Sequence, residues 1–510
     1  MRLVDLQPAL EACGLDVELR GAANVHIDDV RRDSREVRRG TLFAALPGER
    51  RDGANFVSMA AERGASAVLL HPAHADETDL PQVLTSDPRK AMAYAAHAVH
   101  GHPTHSLKVV GVTGTNGKTS VSFLIDALLR AAGEQTALLG TVAQRILEEE
   151  RPTFFTTPES DDLARFAAEA QERGARVMVM EVSSHGLALH RVAGVRFDVA
   201  AFTNLTQDHL DFHPSMEAYG ETKASLFLPD LALHQADLPQ RSIVNVDDRF
   251  GASLAARIER AGRTVLRVST VGTDADFIAE DATLSADGFV ALVRTPRGDV
   301  RVNSPLIGAH NLSNLVVALA CVHALDVDEE SWVRACAALS SKAVTTPGRM
   351  ERADGPEGVT VLVDYAHTPD ALKNAIGAVA AVTTGRVIVV FGCGGDRDAT
   401  KRGPMGAAAA AADGVIATSD NPRTEDPDAI LDAVVEGLRA AGRDLQEDDA
   451  RFTLRITDRR EAIHASLRAA SPGDTVLIAG KGHETYQIVG EERRPFDDRE
   501  VVAEWTRSAS

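Results

Sequence analysis

The stretch LKVVGVTGTNGKTS, Leu107–Ser120, decides how the chain is read. Its first half, Leu107–Thr113, is a continuous apolar run, the pattern of a strand buried on both faces. Its second half sets Gly114 and Gly117 around Thr115 and Asn116. From Thr119 the apolar positions recur at helical spacing to Ala132, and Gly133 stops them. A buried strand that turns through glycines into a helix suits phosphate. The glycines let backbone N–H groups approach an anion, Lys118 adds charge, and Thr119 brings a hydroxyl toward a magnesium ion. The strict spacing of the commonest phosphate loop needs Gly at position 112, where the chain has Val112, so this is a shortened variant. A chance glycine turn before a helix is the plain alternative.

Outward from this loop, strand and helix alternate. A helix is expected over Asp161–Arg173, and strands over Arg176–Val182, Phe197–Thr203 and Ser242–Val246. That alternation predicts an α/β fold with a mostly parallel sheet and helices on both faces. Between Asp276 and Asn303, turns at Asp287-Gly288 and Arg297-Gly298 separate short alternating runs, read as an antiparallel appendage. Before the loop, a region ending near residue 105 holds a candidate edge strand at Thr41–Leu46, a strand at Ala65–Leu70 and a helix at Pro88–Val99. His100–Ser106 reads as a linker. Beyond Gly348, strands are expected at Val359–Val363, Arg386–Phe391, Gly414–Thr418, Leu454–Ile456 and Thr475–Ala479, making a second open α/β unit. The domain limits read this way are 1–105, 106–346 and 347–510.

Length and composition agree with that division. At roughly 100–200 residues per domain, a chain of 510 residues holds about three. A net charge of −20 argues against a general binder of nucleic acid or anionic membrane. A local basic pocket for one small anion is compatible with it. The four cysteines, Cys13, Cys321, Cys336 and Cys393, are too scattered for a disulfide framework and contain no CxxC pair. They are expected to be small buried apolar residues. Acidic residues within the first twenty positions and the lack of a long apolar run point to a cytoplasmic protein.

Several further motifs end strands or open helices. EVSSH, Glu181–His185, sets a carboxylate at a strand end, where it could hold a cation near phosphates; a solvated cap is the bland reading. NLTQDHLDFH, Asn204–His213, clusters His and Asp residues and suits either metal ligation or hydrogen bonding at a corner. Lys223, in YGETKASLF, is by default a surface lysine on a helix. GAHNLSN, Gly308–Asn314, opens a helix with Asn and Ser suited to capping. DYAHTPD (Asp364–Asp370), FGCGGDRD (Phe391–Asp398), SDNPR (Ser419–Arg423) and GKGHE (Gly480–Glu484) each follow a strand, where open α/β sheets bind their ligands. Each alone is weak.

Taken in order, with GRME at Gly348–Glu351 and RDSREV at Arg32–Val37, the series resembles the Mur ligase family. These are ATP-dependent amide-forming enzymes of bacterial cell-wall precursor synthesis. The resemblance implies three domains: an N-terminal UDP-sugar domain, a central phosphate-loop ATPase domain and a C-terminal Rossmann-like domain. It also implies ligation of meso-diaminopimelate to a UDP-N-acetylmuramoyl dipeptide through an acyl phosphate, with Mg2+ as cofactor and ATP as co-substrate. A monomer with small-molecule partners is expected.

Residue by residue, the resemblance implies that Gly114, Thr115, Asn116, Gly117, Lys118, Thr119 and Ser120 hold ATP, joined by Asn311, Arg349 and Asp364. Thr119, Glu181 and His209 are implied at magnesium, with Lys223 as a carbamate. Carbamylation turns this cation into an anion able to position the metal. Lys118, Lys223 and His209 make up the implied catalytic set. Ser34, the Glu49–Arg51 stretch, Thr156, Thr157, Ser183 and Arg191 match the UDP-sugar-peptide positions. Phe155 and Leu189 depart from the family pattern, which often has Asn and Gln there, and neither is assigned a contact. Arg397, Asp420, Asn421, Pro422, Arg423, Gly480 and Glu484 match the diaminopimelate site. Arg423 can bind the distal carboxylate of diaminopimelate with two hydrogen bonds, and it repels the bare ammonium of lysine. A ligase that adds lysine or ornithine, a nucleotide-binding scaffold without catalysis, and a motor or transport ATPase are the competing readings.

Overall fold

The computed structural model describes residues 1–509 except 49–50, 154, 211, 232–237, 273, 342–343 and 447–450. Glu49 and Arg50 of the expected UDP-sugar stretch, and Asp211 of the NLTQDHLDFH motif, lie outside the described residues. The chain forms two compact units. The first comprises Met1–Ala279, Arg294–Gly298 and Ser313–Ala338, and the second Glu280–Val293, Asp299–Leu312 and Leu339–Ser510.

The first unit opens with a five-stranded sheet in the order 18–20, 82–84, 67–70, 41–44, 29–31. Its pairs are parallel except where Glu18–Arg20 meets Gln82–Leu84. Thr41–Ala44 is therefore an interior strand, not the edge expected from sequence. Its four residues are all buried, which fits a position covered on both faces. The helix Pro88–Val99 begins where Asp87 accepts from the Lys90 N–H and Pro88 supplies a pre-set φ. Its run of alanines lies at the centre of this core, with Leu3, Leu6 and Leu10. His100–Ser106 contains a short turn of helix at Pro103–His105.

A second sheet carries the phosphate loop. Its parallel core runs 136–139, 177–181, 108–113, 199–202, 241–245, 265–269. Lys108–Thr113 lies between Val177–Glu181 and Val199–Phe202, with Glu181 opposite Val112 and Phe202 opposite Thr113. Parallel register puts the carboxyl ends of three neighbouring strands side by side, so the loops that follow them meet. A hairpin of Gln144–Ile146 and Glu149–Arg151 extends this sheet beside Thr136–Leu139. It has too few residues to show a period in sequence. The expected appendage consists of the strands Phe277–Ser285, Gly288–Thr295 and Gly298–Ser304, successive neighbours in the sheet order.

The second unit contains a six-stranded sheet in the order 351–353, 360–364, 475–479, 387–391, 414–417, 453–455. All pairs but the first are parallel. Thr475–Ala479 is central and wholly buried. The motifs at Asp364, Gly392, Thr418 and Gly480 thus leave adjacent strands at the same end. Cys321 and Cys393 are buried as expected, but Cys13 and Cys336 are only half-buried. Among the described residues, no helix is long and apolar enough to cross a membrane.

Candidate functional site

In the first unit the site is built on the phosphate loop. Gly114 has φ +144°, and a Cβ there would lie 1.9 Å from Thr203 Oγ1. Gly117 has φ +88° and begins the helix Lys118–Ala131. Both positions require glycine. The loop is fastened to the segment after the next strand. Thr203 Oγ1 donates to Asn116 O at 2.6 Å, Asn116 N to Asn204 Oδ1 at 3.0 Å, and Asn116 Nδ2 to Thr206 Oγ1 at 3.0 Å. Lys118 Nζ donates to Gly114 O and Thr115 O at 3.0 and 2.8 Å, so the cation lies against the loop's own carbonyls.

Glu181 is not a solvated cap. It is 1% exposed and closes the strand next to the loop. Its carboxylate accepts from Thr119 Oγ1 at 2.9 Å, from Thr141 N at 2.7 Å and from Thr141 Oγ1 at 3.1 Å. Among the described residues no Lys or Arg forms an ion pair with it. A buried carboxylate and a threonine hydroxyl at the mouth of a phosphate loop are hard oxygen donors, and they suit a magnesium ion that takes its other ligands from phosphate and water. Among the described residues no group of three or more His, Cys, Asp or Glu could hold a metal unaided.

The network continues from Glu181. Thr141 Oγ1 lies 2.9 Å from Thr156 Oγ1. Thr157 Oγ1 donates to Glu181 O at 2.9 Å and accepts from Ser183 N at 3.0 Å. Arg191 donates to Thr157 O at 3.0 Å and pairs with Glu159 at 3.0 Å. Ser183 also caps the short helix Ser184–Ala188. Thr156, Thr157, Ser183 and Arg191 are thus joined to Thr119 and Glu181 in one continuous hydrogen-bonded network. Phe155 is half exposed and lies beside Arg191, its ring centre 5.8 Å from the guanidinium. Ser34 is not drawn into this network: buried in the first sheet's turn, its hydroxyl meets Met59 Sδ at 3.3 Å.

Lys223 overturns the surface reading. It is 1% exposed on the helix Met216–Ala224, and its Nζ donates to Gly114 O at 2.8 Å. Tyr219 lies beneath it at 4.4 Å and donates to Thr115 Oγ1 at 3.2 Å. Burial, reinforced by the neighbouring Lys118, pushes the Lys223 amine well below its usual range. Burial likewise raises the Tyr219 phenol to about 12. His209, at φ +52°, sits against Asp208 and 4.9 Å from the His185 ring.

In the second unit, Asp364 ends a strand and accepts from Met350 N at 2.8 Å and Ala366 N at 2.9 Å. Its grip on Met350 brings Arg349 to Tyr365, with the guanidinium 4.6 Å from the ring centre. Gly348 approaches the GKGHE loop so closely that a Cβ would meet His483 N at 2.0 Å. Burial lowers the His483 imidazole to about 4. Asn311 does not cap its helix: the helix begins at Ala309, and Asn311 Nδ2 donates back to Ile307 O at 2.9 Å. Ser313 likewise lies inside that helix and accepts from Asn245 Nδ2 at 3.3 Å.

The remaining predicted residues meet around Asn421. Its Nδ2 donates to Glu484 Oε2 at 2.9 Å, and its Oδ1 accepts from Ile488 N at 2.9 Å. Gly480, at φ +113°, lets the chain pass Asp420, whose Oδ2 would lie 3.0 Å from a Cβ there. Arg423 has φ +52° and donates to Gly395 O at 2.6 Å. A Cβ on Gly394 would be 3.1 Å from Arg423 Nη1 and 3.9 Å from Arg397 Cγ, so both arginines border the FGCGG turn. Arg397 is exposed, while Pro422 is buried, and its carbonyl would lie 1.9 Å from a Cβ on Gly395. One residue here was absent from the expected set. Lys481 is fully buried and donates to Glu484 Oε2 at 3.0 Å and Asn421 Oδ1 at 3.3 Å. Its place inside GKGHE, one residue past a strand-end glycine, was the available signal.

Comparison with known proteins agrees with this layout. Residues 26–110 match the Mur ligase family catalytic domain, 112–322 the Mur ligase middle domain, and 348–482 the Mur ligase glutamate ligase domain. A UDP-N-acetylmuramoyl-L-alanyl-D-glutamate–2,6-diaminopimelate ligase of Geobacter metallireducens is 43% identical, covering 100% of this chain and 99% of its own. A solved structure bearing the same name is 31% identical with a TM-score of 0.70, over 100% of this chain and 99% of that one. A MurF ligase from Thermotoga maritima in complex with ADP shares the fold at 20% identity and a TM-score of 0.60, over 94% of this chain and 97% of that one.

Proposed function

The chain belongs to the Mur ligase family, and from that membership we propose that it joins meso-2,6-diaminopimelate to UDP-N-acetylmuramoyl-L-alanyl-D-glutamate, converting ATP to ADP and phosphate. The observation that carries this reading is full-length similarity to ligases of that name, together with an intact DNPR segment, Asp420–Arg423. The product is a peptidoglycan precursor. We assign the UDP-sugar to residues 1–105, ATP to 106–346 and the amino acid to 347–510, in a cytoplasmic monomer.

A carboxylate is a poor acyl donor because its leaving group would be oxide. In the proposed reaction its oxygen attacks the γ-phosphorus of ATP and the bond to ADP breaks. The amine of diaminopimelate then attacks the acyl carbon. The tetrahedral adduct collapses with loss of phosphate and of the amine's proton, leaving an amide. Catalysis of this kind is mainly positioning and charge neutralisation. The N–H groups of Gly114–Ser120 cradle the phosphates, and Lys118 exchanges its loop carbonyls for a phosphate oxygen. The family resemblance assigns Asn311, Arg349 and Asp364 to the nucleotide as well. Thr156, Thr157, Ser183 and Arg191 orient the peptide carboxylate, with Ser34 on the UDP-sugar.

Thr119, Glu181, His209 and a carbamate on Lys223 would hold magnesium, which when bound neutralises charge on the transferring phosphate. The burial of Lys223 supports its modification. An amine held neutral adds to carbon dioxide through its lone pair and releases one proton, and the carbamate so formed is an anion. In the amino-acid site, Arg423 faces the distal carboxylate of diaminopimelate, with Arg397, Asp420, Asn421, Pro422, Gly480 and Glu484 around the rest of the molecule.

ADP release is the direct test. It is expected to require UDP-dipeptide, ATP and diaminopimelate together, and to fall by about 100-fold or more in a folded Lys118→Ala variant, the scale at which loss of one preorganised charge contact acts. ADP release at the wild-type rate in that variant would refute the assignment of the loop.

A further inference from the structure

We propose that Lys481 is a specificity-determining residue of the amino-acid site, its charge offsetting the two carboxylates there so that the site accepts a distal group carrying its own carboxylate. The proposal rests on the diaminopimelate reading above. Lys481 follows the strand Thr475–Ala479 and is fully buried. Its Nζ donates to Glu484 Oε2 at 3.0 Å and to Asn421 Oδ1 at 3.3 Å, and it lies 3.9 Å from Asp420 Oδ1. Asp420 is 7% exposed, so neither member of that pair is well screened by water.

The charges around this centre are few and nameable. Glu484 and Asp420 are the anions. Lys481 is the cation that touches them, and Arg459 lies behind, engaged by Asp498 at 2.8 and 2.7 Å. Tyr486 presents its ring to Lys481 at 5.4 Å and to Arg493 at 3.6 Å. His483, Tyr365 and Arg349 border the other side. Arg423 and Arg397 flank the glycine turn.

Diaminopimelate ends in an ammonium and a carboxylate, with no net charge at that end. Lysine ends in an ammonium alone. Without Lys481, two carboxylates would face the incoming side chain with one fewer compensating cation. Such a site gains affinity for a bare ammonium and loses it for a carboxylate. Arg423 discriminates by direct contact, and Lys481 discriminates by setting the local charge.

The test is the ratio of kcat/KM for diaminopimelate to that for lysine, measured in the full-length enzyme and in three variants. Lys481→Met removes charge and hydrogen bonds. Lys481→Gln removes the charge and keeps a donor for Glu484 and Asn421. Lys481→Arg keeps the charge. Both neutral variants are expected to shift the ratio toward lysine by about tenfold or more, as removal of one unit charge a few ångströms away implies. Most of the change should lie in KM for the amino acid, with KM for ATP nearly constant. Lys481→Arg should hold the wild-type ratio even where its rates fall.

A purely structural lysine would lower both substrates alike in all three variants, and that result overturns the proposal. So does a wild-type ratio in Lys481→Gln. If both neutral variants are insoluble while Lys481→Arg folds, the charge serves folding rather than selection, and the proposal is again overturned. Should the wild-type enzyme fail to use diaminopimelate at all, the functional reading itself falls. A wild type that prefers diaminopimelate, with neutral variants that keep the preference, removes this inference alone.

Discussion

Lys223 and Glu181 were the residues whose surroundings sequence could not supply. Each has a bland default as an exposed charge, and each is 1% exposed in the structure. Glu181 is buried because parallel register brings three strand ends together, and Lys223 because its helix packs against the phosphate loop; both are long-range properties with no local signature. Arg423 was legible from chemistry: a forked cation in DNPR suits a carboxylate. The structure adds that one arm is held by Gly395 O at 2.6 Å, which fixes the fork's orientation. A charged hydrogen-bonded pair contributes roughly 1.5–3 kcal/mol. Arg423→Ala should therefore raise KM for diaminopimelate by about 10- to 100-fold, with KM for ATP close to wild type. Steady-state kinetics with each substrate varied in turn would show this, and an unchanged KM for diaminopimelate would remove the selector role of Arg423.

Elements were read best where the pattern was long. Pro88–Val99 was expected with those limits because a proline at its start and an alanine-rich run mark it locally. The strands around the phosphate loop were found because buried parallel strands are continuous apolar runs. Three-residue strands such as Glu18–Arg20 and Asp29–Arg31 escaped, being too short to show a period. Thr41–Ala44 reads as an edge from sequence and is interior because one of its two neighbours, Asp29–Arg31, is too short to show a period, while the other, Ala67–Leu70, is expected. The helix Pro88–Val99 also contains a testable liability. His97 is fully buried against Gly194, and neither ring nitrogen has a hydrogen-bond partner among the described residues. Burial lowers its imidazole to about 3. Between about 3 and the usual 6.5 the unfolded chain binds a proton that the folded chain does not, so stability rises with pH across that window and falls as pH drops through it. At pH 5 this costs about 2 kcal/mol relative to pH 7. Urea unfolding of a His97→Leu variant should show a pH 7 to pH 5 stability difference smaller by about that amount. An unchanged difference would mean that His97 does not carry the acid sensitivity.

For the whole molecule, the order of motifs along the chain said more than any one of them. Sequence places a phosphate loop, a strand-end carboxylate and the motifs assigned to the amino acid in succession, and the two compact units carry these motifs on largely parallel sheets, at loops that leave the carboxyl ends of the strands. What order could not reveal was how charge is balanced inside each site, because Lys118, Lys223 and Lys481 look alike as letters. They differ in what they touch: loop carbonyls, a single carbonyl over Tyr219, and a carboxylate with an amide. The central claim is the identity of the bond made. It is tested most directly by supplying the full-length enzyme with ATP, magnesium and UDP-N-acetylmuramoyl-L-alanyl-D-glutamate, then adding equal concentrations of meso-diaminopimelate, lysine and ornithine, and identifying the nucleotide product by mass spectrometry. The account predicts the diaminopimelate adduct in large excess, with one ADP formed per adduct. A lysine or ornithine adduct in equal or greater amount, or ADP formed without any adduct, would contradict it.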